Sequence, residues 1–339
     1  MIDYPTIGSI RRAAHERLDA HALAYLETGA GAERTLRWNE EAFDRWTIRP
    51  RVLTGAARID TRTTLFGQQL SMPILVSPFG LDTLFHPDGH CALMRGAAGA
   101  GTVACASSSS GFPLEEVRDA APAAAMLFQV SALGPVGVVE RMAKRVADAG
   151  YPLLCITVDT PRPGWRTRSR EDADPPDATV LASANYGPDD YADRVNAGVA
   201  WTWETVAEVG AGAGIPWVAK GILTGDDARR AIEHGAAGVI VSNHGGRQLD
   251  GAPASLDALP EVAEAVGERV PVIVHGGVRH GSDVLIALAL GADAVGIARP
   301  AAWGLTVGGS EGVERVLSLL REEYEIARTL AGGLSVAPR

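Results

Sequence analysis

Short apolar runs recur along this chain, separated by stretches with amphipathic helical periodicity, the pattern of a parallel sheet wound with helices. The runs fall at 73–77 (PILVS), 102–107 (TVACAS), 125–130 (AMLFQV), 153–159 (LLCITVD), 216–220 (PWVAK), 238–243 (GVIVSN), 271–275 (PVIVH) and 294–298 (AVGIA). Most are nearly continuous in apolar residues rather than alternating, as strands covered on both faces require. Residues 224–235 and 282–290 fit crossover helices, and TGDDARRAIEHG opens on a threonine suited to an N-cap and closes on glycine. Eight strands with intervening helices predict an α/β fold, a (β/α)8 or TIM barrel.

Two segments fall outside the repeat. Residues 1–70 read as a helical N-terminal extension followed by a turn-rich lead-in, and 71–339 as the barrel, one domain overall. Residues 166–200 are polar, rich in Pro and Asp, and weakly periodic. Because they follow strand four, they are expected to form a long, mobile loop over the face where barrel active sites are built.

Composition narrows the function classes. At 339 residues the chain suits one barrel with extensions, and 46% hydrophobic against 21% charged residues supports a large core. A formal net charge of −10 argues against nucleic-acid binding. No apolar run approaches the ~18 residues of a membrane span, and the N-terminus lacks a signal-peptide core, so a cytoplasmic location is expected. Cys91, Cys105 and Cys155 form no CxxC pair. Cys105 and Cys155 lie inside apolar runs and read as buried thiols rather than metal ligands, and no metal site is expected.

The candidate chemistry gathers at strand ends. Ser242-Asn243-His244-Gly245-Gly246-Arg247-Gln248 follows the apolar run 237–241. Histidine can take a proton near neutral pH, arginine can hold a carboxylate with two hydrogen bonds, and glycine lets the backbone approach a ligand. Lys220 closes WVAK, where an unpaired ammonium must reach solvent or an anion. His275-Gly276-Gly277-Val278-Arg279 and Ala298-Arg299-Pro300 follow strands seven and eight, whose loops commonly carry a barrel's phosphate site.

SNHGGRQLDGAPASLDALPEV closely resembles the signature of the FMN-dependent 2-hydroxy acid oxidases and dehydrogenases, and the resemblance runs from about Tyr25 to the C-terminal helix. It implies FMN as cofactor, a small carboxylic acid as substrate, oxygen or another electron acceptor, and a homo-oligomer, a tetramer in that family. His244 would be the catalytic base, and Asp159 of TVDT would pair with and orient it. Arg247 and Tyr25 would hold the substrate carboxylate. Ser107, Gln129 and Thr157 would meet the flavin edge and Lys220 would lie near flavin N1. Pro78 and Gly80 belong to the same cofactor set, and His275, Gly276, Gly277, Arg279, Ala298 and Arg299 take its tail.

Four positions depart from the family pattern. His275 replaces an aspartate and would add positive charge when protonated; Ala298 replaces a glycine. Ser131 stands where Gln-x-Tyr has its tyrosine. Trp165 stands at the first arginine of TVDTPxxGRR, leaving Arg166 or Arg168 to supply the missing contact. Ser131 and Trp165 together predict a larger, aryl acid of mandelate type rather than glycolate or lactate. The competing readings are an FMN barrel enzyme with no net redox change, as in isomerases, and a flavin-binding protein of degraded activity.

Overall fold

In the computed structural model, eight parallel strands close into a barrel: β1 (Ile74–Val76), β2 (Ala104–Ser107), β3 (Met126–Ser131), β4 (Leu153–Thr157), β5 (Trp217–Ile222), β6 (Val239–Val241), β7 (Val272–His275) and β8 (Ala294–Ile297). Residues 3–55, 59–172, 183–187, 190 and 199–339 are described. Each strand pairs with its sequence neighbours, and β8 pairs with β1 to leave no edge. All eight overlap the apolar runs. The helix after β5, Gly225–Glu233, is capped by the predicted threonine: Thr224 Oγ1 accepts from the Asp227 amide at 3.1 Å.

Alternation along these strands builds the site. Leu75, Cys105, Leu127, Cys155, Val218, Ile240, Ile273 and Ala294 form an apolar plug inside the barrel, separate from the larger core between strands and helices. Two residues further along each strand, on the same inward face, stand Ser77, Ser107, Gln129, Thr157, Lys220, Ser242, His275 and Gly296. The plug thus ends in a ring of polar and small residues at the C-terminal mouth. All seven of its non-glycine members are buried. A hairpin, Thr63–Leu65 with Gln68–Leu70, adds Leu65 and Leu70 to the plug from the opposite end.

The N-terminal extension contributes three helices, α1 (Ile7–Arg17), α2 (Ala20–Glu27) and α3 (Arg34–Glu41). The first residue before α3, Glu33, is left-handed and gives it no side-chain cap. Asp250, from the loop after β6, takes that role, accepting from the amides of Thr35 at 3.1 Å and Ala32 at 2.9 Å. Further along α3, the Asn39 and Asn243 carboxamides form a reciprocal buried pair at 2.9 and 2.8 Å. The loop carrying His244 is therefore fastened to α3 at two points.

Two elements depart from the sequence reading. The polar segment after β4 begins as a helix, Thr167–Asp172, rather than as loop; residues 173–182, 188–189 and 191–198 of that segment lie outside the described residues. Trp46–Ile48 pairs antiparallel with Val336–Pro338, so chain end meets lead-in, a contact too short and too distant in sequence for periodicity to announce. Among the described residues no helix is long and apolar enough to cross a membrane, and no three His, Cys, Asp or Glu side chains group to hold a metal. Cys105 and Cys155 are buried and free, and burial pushes the Cys105 thiol well above its ordinary pKa.

Replacing Asn39 with Ala would leave one hydrogen of the buried Asn243 amide without a partner, although Pro253 O and the Gly246 amide would still hold the group. The substitution should destabilise the protein by about 1–3 kcal/mol, read as a lower midpoint in chemical denaturation. An unchanged midpoint would mean that the amide pair does not fasten α3.

Candidate active site

Helix α2 ends over the mouth of the barrel, and its C-terminal carbonyls need donors. Five consecutive ones find them in side chains. Thr28 Oγ1 donates to Ala24 O at 2.6 Å, Arg247 Nη1 to Tyr25 O at 2.6 Å, Arg299 Nε to Leu26 O at 2.9 Å, and Arg168 Nη2 to Glu27 O at 3.0 Å. Thr28 O takes Arg247 Nη1 at 2.7 Å and Arg299 Nη2 at 3.4 Å. Cations also suit the negative end of the helix dipole. Three loops, after β4, β6 and β8, are thereby tied to one helix end, and Tyr25 is set beneath Arg247, whose guanidinium lies 4.7 Å from the ring centroid. Below it, Glu27 accepts from Arg11, His15 and Trp303 at 3.2, 3.0 and 2.7 Å.

His244 opens the loop after β6 with φ of 61°, a left-handed conformation unusual for a side chain with Cβ. Such strain costs on the order of 1–3 kcal/mol. Two contacts hold it: the His244 amide donates to Ser242 Oγ at 3.0 Å, and Nδ1 lies 3.0 Å from Asp159 Oδ1. With Nδ1–H donated to the carboxylate, Nε2 keeps its lone pair. Burial holds the imidazole pKa below its ordinary value even though the Asp159 charge pulls it upward. Asp159 is depressed in turn: burial raises it, but His244 and Lys220 outweigh that. Neutral imidazole beside ionised carboxylate is the resting state of a general base.

Around this pair lies a cavity at the mouth of the barrel. Its wall includes Tyr25, Pro78, Phe79, Gly80, Phe85, Arg166, Lys220, His244 and Arg247, continuing through His275–Arg279 and Gly296–Arg299. Among the described residues no carboxylate lines it, whereas five cations do. Lys220 is buried, with no hydrogen-bond partner among the described residues. Arg247 Nη2, Arg166 Nε and Arg279 Nε are likewise buried without partners among the described residues, as is Ser77 Oγ at the end of β1. Arg299 is lowered to about 10, first by burial and then by the Arg279 charge, and remains a cation at neutral pH.

The predicted residues divide by position. Tyr25, Pro78, Gly80, Arg166, Lys220, His244, Arg247, His275, Gly276, Gly277, Arg279, Ala298 and Arg299 all line the cavity, with Asp159 behind His244. Ser107, Gln129, Thr157 and Ser131 do not line it. They form a hydrogen-bonded row on adjoining strand ends, reached from Lys220 through its register partner Thr157. Trp165 stands outside: it is 65% exposed and stacks against Arg170, whose guanidinium lies 4.2 Å from its ring. Gln248 sets this register. It accepts from the Gly164 amide at 3.0 Å and donates to the Asp159 and Arg162 carbonyls, turning Arg166 inward and Trp165 outward. The guanidinium that seemed to be missing from the sequence is therefore supplied one position later. Arg168 is engaged elsewhere, on Glu33 at 3.0 Å and on Glu27 O. His275, expected to add charge, is held well below its ordinary pKa by burial and by Lys220, and is neutral.

Sequence reasoning missed the aromatic wall. Phe79 and Phe85 meet edge to face at 5.8 Å between centroids, and Phe85 lies 6.2 Å from Tyr25. It also passed over Ser77 and Gly296, which strand parity alone would have found.

The donor set suits FMN. Gly276 and Gly277 have φ of 130° and 85°, and a Cβ on Gly277 would stand 1.9 Å from Asn39 O, so only glycine fits that turn. Next to it, Arg279 and Arg299 match a phosphate dianion, while Lys220 and the polar ring match a ring that gains negative charge on reduction. An anionic ligand would also satisfy the stranded guanidinium nitrogens, each costing about 1–3 kcal/mol while buried unpaired.

Fold and site together define a barrel enzyme that holds an anionic cofactor beside a carboxylate-oriented base. Comparison with known proteins makes that specific. The chain belongs to the FMN-dependent dehydrogenase family, whose profile matches residues 14–338. It is 41% identical to the L-lactate oxidase of a Nostoc species over 94% of this chain and 92% of that one. It is 40% identical to human 2-hydroxyacid oxidase 1, over 91% and 87%. A mandelate oxidase variant solved with (S)-mandelic acid superposes with a TM-score of 0.91 at 35% identity, covering 99% of both chains. The protein is an FMN-dependent 2-hydroxy acid oxidoreductase.

Because burial depresses the His244 pKa, the acid limb of kcat/KM should lie below the ordinary imidazole value of about 6.5. Activity should fall as pH drops through that limb and His244 takes up a proton. Asp159→Asn removes the charge that opposes the depression, and should move the limb to still lower pH while slowing turnover. A limb above 6.5, or one moved upward by Asp159→Asn, would contradict this electrostatic assignment.

Proposed function

We propose that this enzyme oxidises a 2-hydroxy acid carrying an aryl or other bulky apolar side chain, with His244 as the base. The observation that carries the reading is the arrangement within one cavity. The imidazole–carboxylate pair shares the cavity with a guanidinium that has one nitrogen unsatisfied, and Tyr25, Phe79 and Phe85 add an aromatic stretch to its wall. FMN, when bound, supplies the two-electron acceptor.

In this reading Arg247 uses Nη1 to hold α2 and offers Nη2 to the substrate carboxylate, with Arg166 as the second cation. Each charge-assisted contact contributes about 1.5–3 kcal/mol. The carboxylate fixes the 2-carbon near His244, whose Nε2 takes the proton while Asp159 stabilises the imidazolium that forms. The aromatic wall excludes water and packs the substrate side chain. Burying a phenyl ring there contributes a few kcal/mol at about 25 cal/mol/Å², which a two- or three-carbon acid cannot gain. The likenesses to mandelate, lactate and 2-hydroxyacid oxidases do not separate the substrates, so the preference rests on the aromatic wall. Phe79 and Phe85 replace Trp165 and Ser131 as the residues behind it.

His244→Asn should retain flavin and slow its anaerobic reduction by roughly 10²–10⁴-fold; near-normal bleaching in stopped flow would remove His244 from the role of base. Arg247→Met should abolish saturation by any acid.

Among glycolate, L-lactate, mandelate and 4-hydroxymandelate, the aryl acids should have the highest kcat/KM. Phe85→Ala should lower the mandelate value by about tenfold, roughly 1.4 kcal/mol, and leave lactate nearly unchanged. Glycolate or lactate ahead of mandelate in the wild type would overturn the aryl reading.

A further inference from the structure

Ser131 lies at the last inward position of β3, opposite Thr157 in register, and outside the cavity wall. Its hydroxyl is not turned toward a substrate. Ser131 Oγ accepts from Gln129 Nε2 at 3.0 Å, and the same nitrogen donates to Thr157 Oγ1 at 2.9 Å. At the other end of the amide, Gln129 Oε1 accepts from Ser107 Oγ at 3.0 Å, while Ser107 Oγ accepts the Ser109 amide at 3.2 Å.

A carboxamide nitrogen has two hydrogens, and here two hydroxyls take one each. Flipping the amide would put that nitrogen against Ser107 Oγ, a single hydroxyl already occupied by an N–H, and one hydrogen would be left over. Two hydroxyls at one end and one at the other thus fix the amide's orientation. What remains free on Gln129 is an acceptor, the second lone pair of Oε1.

We propose that Ser131 is a positioning residue for the flavin. By consuming the second hydrogen of Gln129, it makes this side chain present an acceptor, and no donor, to the edge of the bound ring. The pyrimidine half of a flavin carries an N3–H in both the oxidised and the reduced state, so an acceptor is matched to it throughout turnover and a misplaced N–H would oppose it. Without the Ser131 hydroxyl, one Gln129 hydrogen has no partner and the amide is free to turn. This inference rests on the family's dependence on FMN and is independent of which acid is oxidised.

The test is a titration of apoprotein with FMN, following flavin fluorescence and the visible absorption of the bound ring. Ser131→Ala should weaken FMN binding by about tenfold, the effect of one hydrogen bond lost from a buried group, and shift the bound spectrum. Ser131→Thr keeps the hydroxyl and should restore both readouts. Ser131→Cys, a poorer acceptor, should fall between them. The order of kcat/KM among glycolate, L-lactate and mandelate should stay as in the wild type for every variant. Wild-type affinity and spectrum in Ser131→Ala and Ser131→Cys, or an equal loss in Ser131→Thr, would overturn the proposal. An altered order of acids with unchanged flavin binding would overturn it too, and return Ser131 to the substrate side.

Discussion

The C-terminus of α2 is the point on which the site depends. A helix end placed over a barrel mouth leaves carbonyls that water cannot easily reach, and here arginines from three different loops meet them. The arrangement answers two electrostatic problems together. The carbonyls and the negative end of the helix dipole accept cations, and the cations gain a fixed geometry that can still leave a nitrogen for ligand. Arg247 is the clearest case, with Nη1 shared by two carbonyls and Nη2 unpaired. Removing either side would release the other, so the N-terminal extension belongs to the active site.

The polar ring obeys a second constraint. Inward positions alternate along a strand, so the residue two places beyond the plug must face the mouth of the barrel whatever its identity. The ring's Ser, Gln, Thr and Lys members are therefore forced into contact with one another or with a bound group. Ser107, Gln129, Thr157 and Ser131 solve this among themselves, and Lys220 and Ser77 await a partner. Five lining cations, with no carboxylate among the described residues of the wall, leave the cavity poised for an anionic cofactor and an anionic substrate.

Much of this was legible in the sequence, because it is local. Continuous apolar runs announced all eight strands, and Thr224 announced its helix. The His244–Gln248 motif announced an imidazole and a guanidinium at the barrel mouth, and both line the cavity. What failed was non-local or aperiodic. After β4 no periodicity sets the register, so Trp165 was assigned an inward place that Gln248 gives to Arg166. His275 looked like added charge because its neighbours Lys220, His244 and Arg299 come from other strands and their loops. Phe79 and Phe85 carry no signal in the sequence, and only the fold puts Phe85 beside Tyr25 and Phe79 against Phe85. The capping of α2 joins residues more than a hundred positions apart, and no pattern along the chain foretells it.

The central claim is that Arg247 serves the helix and the substrate at once. A crystal structure of the FMN-loaded enzyme with an unreactive 2-hydroxy acid analogue tests it most directly. The account predicts the carboxylate within hydrogen-bonding distance of Arg247 Nη2, with Nη1 still on the Tyr25 and Thr28 carbonyls. A carboxylate bound away from Arg247, or a guanidinium that abandons α2 to reach it, would contradict the account.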